Sequence, residues 1–199
     1  AFSDDDLRKI LEIPGILKAE KRYQTDGKAE LSDELDLQMN FIDSNEISRM
    51  LIVSGEPYSP GEGGVWIDFM LADKQGLSVG DTLDMKADGV EFTEKIRGTF
   101  YDPEYVYFLP DAAAMMPDYG SYGEAFMDKS EYPDPERFYY NQVIADLDGV
   151  DNTGGLADKE KEICRRIGAS ISSALDDSRV VTTDKDAQLS YQTFHSEIE

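Results

Sequence analysis

The chain has 199 residues, 40% of them apolar, with 42 Asp and Glu against 19 Lys and Arg. That length holds one domain or two small subdomains around a substantial core. The net charge of −23 argues against a nucleic-acid partner and against an anionic membrane surface, both of which would repel it. It favours solubility and cationic partners. The single cysteine, Cys164, excludes an internal disulfide and a cysteine metal site.

Ser3 followed by Asp4, Asp5 and Asp6 predicts a helix start, with carboxylates at the positive end of the helix dipole. Leu7, Ile10 and Leu11 form its apolar face, and Pro14-Gly15 ends it. Residues 16–23 read as a strand, and Thr25-Asp26-Gly27-Lys28 as a turn. Leu35, Leu37, Met39 and Phe41 alternate with polar residues, as in a half-buried strand. Residues 50–53 form another short apolar run. The Gly-, Pro- and Glu-rich stretch 55–64 is expected to be a loop and a subdomain boundary.

A strand over 65–67 and a short helix over 69–75 come next, with Gly76 past the helix end. Leu83 and Met85 belong to a strand, Asp88-Gly89 signals a hairpin, and its partner strand runs from Val90 to Gly98. Residues 111–122 are irregular, and Tyr132-Pro133-Asp134-Pro135 makes another break. Strand character returns over 139–147. The clearest helix covers 156–175, with Leu156, Ile163, Ile167, Ile171, Ala174 and Leu175 on one stripe. Val180 and Val181 read as a short strand. A last amphipathic helix carries Leu189, Tyr191, Phe194 and Ile198. No apolar run approaches the ~20 residues of a membrane span. The chain opens on Ala1 rather than Met, so it is expected to be a processed product or an excised piece.

Tests for chemistry return no catalytic, cofactor-binding or metal-binding residue. The sole histidine, His195, lies five positions from the end, and nucleophilic catalysis needs a base held by packing. Gly168-Ala169-Ser170-Ile171-Ser172 lacks the final glycine of a nucleophile elbow. In the run from Asp146 to Asn152, an EF-hand counted from Asp146 would need an oxygen ligand at Val150, glycine at Asp151 and glutamate at Ala157. None of the three fits, which leaves a strand-to-helix turn. Gly61, Gly63 and Gly64 precede a strand, whereas a dinucleotide fingerprint follows one. No carboxylate pair can be singled out among 42 acids.

One cluster differs in kind. Tyr101, Tyr105, Tyr107, Phe108, Met115, Met116, Tyr119, Tyr122, Phe126 and Met127 fall in one short region. It reads either as a small local core or as an exposed docking patch, since Tyr and Met enrich adaptable interfaces. On the second reading the partner-binding candidates are Tyr105, Tyr107, Met115, Met116, Tyr119 and Tyr122.

Several motifs in order resemble one family. They are Ile13-Pro14-Gly15-Ile16, Gly55-Glu56-Pro57, Val65-Trp66-Ile67-Asp68, Leu71-Ala72 and Gly76-Leu77-Ser78-Val79-Gly80-Asp81-Thr82-Leu83. The run from Gly98 to Tyr107 and the run from Val181 to Ile198 complete the set. Together they resemble the extracytoplasmic, MacB-like periplasmic core domain of FtsX-like ABC-transporter permeases. Asp102 stands where that family's pattern has serine.

The resemblance implies an α+β fold: a porter-like mixed α/β subdomain (1–55 and 138–199) and an inserted, β-rich, sabre-like subdomain (56–137). It implies a non-enzymatic, cofactor-free part of a membrane-embedded permease, set between its first and second membrane helices. That part lies on the extracytoplasmic face, at a Gram-positive cell surface or in a periplasm. A cytoplasmic ATPase subunit would drive it, and it would handle a lipid, peptide or lipoprotein, or act on a partner protein. A dimer in the full transporter is compatible with this. The alternatives are a free-standing secreted or surface binding protein and, less favoured, an acidic hydrolase.

Overall fold

The computed structural model describes residues 1–31, 34–105, 118–151, 155–175 and 180–187. Eight strands occur in chain order: β1 (Ile16–Glu30), β2 (Glu34–Ile42), β3 (Leu51–Gly55), β4 (Val65–Asp68), β5 (Thr82–Ala87), β6 (Val90–Tyr101), β7 (Tyr122–Asp128) and β8 (Gln142–Leu147). Among the described residues the α-helices are α1 (Asp4–Leu11), α2 (Phe69–Gln75) and α3 (Asp158–Leu175). The fold is α+β.

Both short helices start and stop where their sequences say. In α1 the Ser3 hydroxyl accepts from the Asp6 amide at 3.2 Å, and the Asp6 carboxylate accepts from the Ser3 amide at 2.9 Å. In α2 the Asp68 carboxylate accepts from the Leu71 amide at 2.9 Å, and Gly76 ends the helix at φ 66°. A left-handed C-terminal residue costs glycine nothing. The turn into β5 is closed by Asp81, whose carboxylate accepts from the Ser78 amide at 2.8 Å, with Gly80 at φ 99°. Asp88 and Gly89 both have positive φ, as a two-residue hairpin between β5 and β6 requires.

The sheet closes on itself. β1 pairs with β2, β2 with β7, β7 with β4, β4 with β6, β6 with β5, and β5 returns to β1. The β2–β7 and β4–β6 pairs are parallel and the other four antiparallel. Closure removes free edges around this six-stranded ring. Two strands extend it: β8 pairs with the first half of β1, and β3 pairs with the end of β6. Residues 1–55 contribute β1, β2 and β3, and residues 56–137 contribute β4 to β7, so the ring joins one arc from each stretch at the β2–β7 and β5–β1 pairs.

Period-two alternation sends Leu35, Leu37, Met39 and Phe41 of β2 inward, with Val65, Ile67, Leu83, Met85, Ala125 and Met127 from other strands. A second, smaller cluster lies on the other face of the wall. There Trp66, Phe100 and Phe126 pack with Ile42 and Met50. β4 and β7 are therefore buried on both faces. Beside the ring, α1 packs on β1 and on α3, with Ile10 and Ile167 buried.

Two expectations need correction. Thr25-Asp26-Gly27-Lys28 is the interior of β1 and not a turn. Gly27 is paired on both edges, to Leu37 and to Ala87. A Cβ there would lie 2.5 Å from Met39 Sδ and 2.7 Å from the Lys86 carbonyl oxygen, so this glycine serves close packing rather than chain reversal. Val180 and Val181 form no strand; Val181 is 83% exposed and no strand lies beside it among the described residues. The final amphipathic helix, with His195, lies outside the described residues. β7 was not foreseen as a strand, because its acidic Glu124 and Asp128 are buried and break the apolar pattern.

Candidate partner-binding site

Outside the ring, neighbouring positions of β1, β2 and β7 build a polar patch. The register sets Gln24 beside Asn40 and Gln38 beside Glu124. Arg22, only 2% exposed, lies over the ring of Phe126 at 5.1 Å. The segment after β6, residues 102–105, covers this patch. Its Glu104 takes both ends of the guanidinium, at 2.7 Å and 3.2 Å, in a bidentate ion pair. The Glu104 amide also donates to Asp102 Oδ1 at 2.7 Å, which tightens the turn. Asn40 Nδ2 donates to Glu124 Oε1 at 2.7 Å, and Gln24 Nε2 donates to Asn40 Oδ1 at 3.0 Å.

Three carboxyls thus face one buried arginine, and the charges do not balance. Burial is the main cause that pushes Asp102 up to about 6, with Glu104 adding to it. Burial and the neighbouring Asp102 raise Glu124 well above the ordinary carboxyl range. Arg22 is opposed by its own burial, but Glu104, Asp102 and Glu124 outweigh that and hold it charged. Asp102 Oδ2 has no hydrogen-bond donor among the described residues, and the Asp102 charge beside it helps to keep Glu124 raised. Burial and like charge thus favour the protonated form of this carboxyl pair.

The partner-binding candidates distribute as follows. Tyr105 is largely buried at the edge of this cluster, and its hydroxyl accepts from Gln38 at 3.3 Å. Burial, more than the nearby Glu124, raises it. Tyr122 opens β7, half-buried, and burial together with Asp26 moves it to about 12. Tyr119 is also half-buried, in the turn before β7. Tyr107, Met115 and Met116 lie outside the described residues. Of the wider aromatic and methionine cluster, Phe126 and Met127 are core.

Arg22, Glu104 and Glu124 escaped the sequence reading, because they are far apart in the chain and each resembles ordinary surface charge. The one available signal was Asp102, the departure from the family's serine.

Elsewhere, hydrogen-bonded acids hold loops in place. Asp128 accepts from Tyr58 Oη at 2.9 Å, the Gly61 amide at 2.7 Å and the Ser130 hydroxyl at 2.6 Å. Asp88 accepts from Tyr23, Tyr132 and Thr25 at 2.7, 2.9 and 3.1 Å. Glu20 accepts from the amides of Glu46 and Ile47 at 2.7 and 3.2 Å. Glu94 is raised to about 7 by burial and by the neighbouring Glu131 carboxyl. Among the described residues no group of three or more His, Cys, Asp and Glu is placed to hold a metal, and no helix is long and apolar enough to cross a membrane.

No family model and no curated protein sequence matches the chain. Solved structures do. The extracellular domain of the noncanonic ABC-type transporter YknZ from Gram-positive bacteria superposes with a TM-score of 0.58 at 13% identity, over 92% of this chain and 89% of that one. The periplasmic region of MacB from Actinobacillus actinomycetemcomitans gives 0.55 at 9% identity, over 100% and 83%. At such identities the likeness speaks for the fold alone: this chain has the fold of the extracytoplasmic domains of ABC-type transporter permeases.

Proposed function

We propose that the chain is a non-catalytic extracytoplasmic domain of an ABC-transporter permease. It would couple motion of membrane helices, driven by a cytoplasmic ATPase, to a lipid, peptide, lipoprotein or partner protein outside the cytoplasm. The observation that carries this is the fold shared over nearly the whole length of two such domains. Force transmission suits a closed ring, because strain cannot peel an edge from it. The porter-like stretches (1–55 and 138–199) and the sabre-like stretch (56–137) would move together, since the β1–β5 and β2–β7 pairings join them.

On this reading the segment from Tyr105 to Tyr122 engages the partner, with Tyr107, Met115, Met116 and Tyr119 between its ends. The ion pair of Arg22 and Glu104 would fix one end of that segment and β7 the other.

The test is topology in the intact cell. Ser173 on the exposed face of α3 is replaced by cysteine in the full-length gene product, with Cys164→Ser to remove the background. A membrane-impermeant maleimide should label it in whole cells, and the labelled protein should sediment with membranes. Labelling only after lysis would end the proposal. Labelling of a protein released into the medium would favour a free-standing secreted binding protein.

A further inference from the structure

We propose that the outer edge of β3 receives an extended segment of a partner polypeptide by strand addition, a segment apolar at alternate positions and basic at one end. β3 pairs with β6 along one edge, and no strand pairs with the other among the described residues. Natural sheets guard such an edge with lysine, proline or a covering loop. The sequence of β3, Leu-Ile-Val-Ser-Gly, carries neither residue, and its side chains invite contact. Leu51 is 58% exposed and Val53 43%. A bulge falls between Ile52 and Ser54, so Val53 stands outside the pairing with β6.

The apolar surface does not stop at β3. Leu51 is paired with Tyr101, itself 43% exposed. The Tyr101 ring meets Phe69 edge-on at 5.2 Å, and its hydroxyl lies 3.8 Å from Met70 Sδ. A strand added beside β3 would satisfy its open backbone groups and set alternate side chains against Leu51 and Val53. Charge selects among polypeptides. At the C-terminal end of β3 one cation, Arg97, is shared by Glu56 and by Glu62, the latter at 3.5 Å, which leaves one negative charge in excess. Lys or Arg at that end of the incoming segment would neutralise it. A second copy of this chain is disfavoured, because each brings a net charge of −23. This inference is independent of the function proposed above and uses other residues.

The probe is a ten-residue peptide alternating valine and threonine and ending in two lysines, compared with the same peptide ending in two glutamates. Amide NMR shifts and hydrogen exchange are followed on the isotope-labelled domain. The lysine peptide should shift and protect residues 51–55 and bind at least about tenfold more tightly than the glutamate peptide. Val53→Pro should abolish binding while the sheet signal persists. If that variant loses its sheet, Glu56→Gln with Glu62→Gln keeps the test alive, and should remove the preference for lysine over glutamate. No perturbation at 51–55, equal binding of both peptides, or self-association through β3 without peptide would each overturn the inference. Shifts confined to residues 105 and 118–122 would overturn it too, while leaving the proposed partner segment intact.

Discussion

Replacing Glu124 by glutamine should stabilise this protein at neutral pH. Glu124 and Asp102 are neighbouring buried carboxyls, Glu124 raised well above its ordinary range and Asp102 held at about 6. In the unfolded chain both carboxyls ionise near pH 4. A group whose folded-state pKa is raised contributes stability below its unfolded pKa and loses it as pH rises through the folded value. Between pH 5 and 7 the folded state therefore binds roughly one more proton than the unfolded chain, and stability falls by about 1.4 kcal/mol per pH unit. Summed over that window, this pair costs about 2–3 kcal/mol.

Glutamine keeps the oxygen that accepts from Asn40 at 2.7 Å and supplies an N–H to Asp102 without titrating. The variant should be about 2 kcal/mol more stable than the parent at pH 7 and within about 1 kcal/mol of it at pH 5. The assay is urea unfolding followed by the single tryptophan, Trp66, which is fully buried with its indole N–H on the Glu56 carbonyl at 2.6 Å. A parent stability that is flat from pH 5 to 7, or a variant less stable than the parent at pH 7, would refute the raised carboxyl pair.

Other perturbations follow from the same structure. Arg22→Met leaves Glu104, Asp102 and Glu124 buried without their cation and should cost about 3–5 kcal/mol at pH 7 in the same urea assay. Gly27→Ala places a methyl against Met39 and the Lys86 carbonyl and should cost about 1–3 kcal/mol, read as a lower melting temperature. A Cβ at Gly80 would meet nothing closer than Lys95 Cε at 3.9 Å, so the main cost of Gly80→Val is conformational. At φ 99° it should be about 1–3 kcal/mol, with the folded circular-dichroism spectrum retained. Below about pH 4 the whole protein should lose stability again. Carboxylates such as Asp128 and Asp88, lowered by their hydrogen-bond donors, give up their contribution as pH falls through their folded-state values.

The sequence was most legible where a local rule had one solution. Asp68, Gly76, Gly80, Asp81 and the Asp88-Gly89 pair each announce a cap or a turn through their own backbone or side-chain chemistry, and the run from α2 to β6 follows. It was least legible where tertiary packing overrode a local signal. Thr25-Asp26-Gly27-Lys28 has turn composition, yet its glycine is demanded by two neighbouring strands. Glu124 interrupts the apolar run of β7 because it faces Arg22, a partner that the chain alone does not disclose. Ring closure was equally hidden, since the parallel β2–β7 and β4–β6 pairs join segments with no turn between them. Of the candidate site, Tyr105, Tyr119 and Tyr122 were readable as aromatics of one region. The buried charges that hold its base were not.

The central claim is that this domain belongs to a membrane permease, and the most direct test is the sequence of its gene on either side of Ala1 and Glu199. The account predicts an apolar stretch of about 20 residues on each side, with further spans downstream. A cleavable signal before Ala1 and a stop codon soon after Glu199 would contradict it.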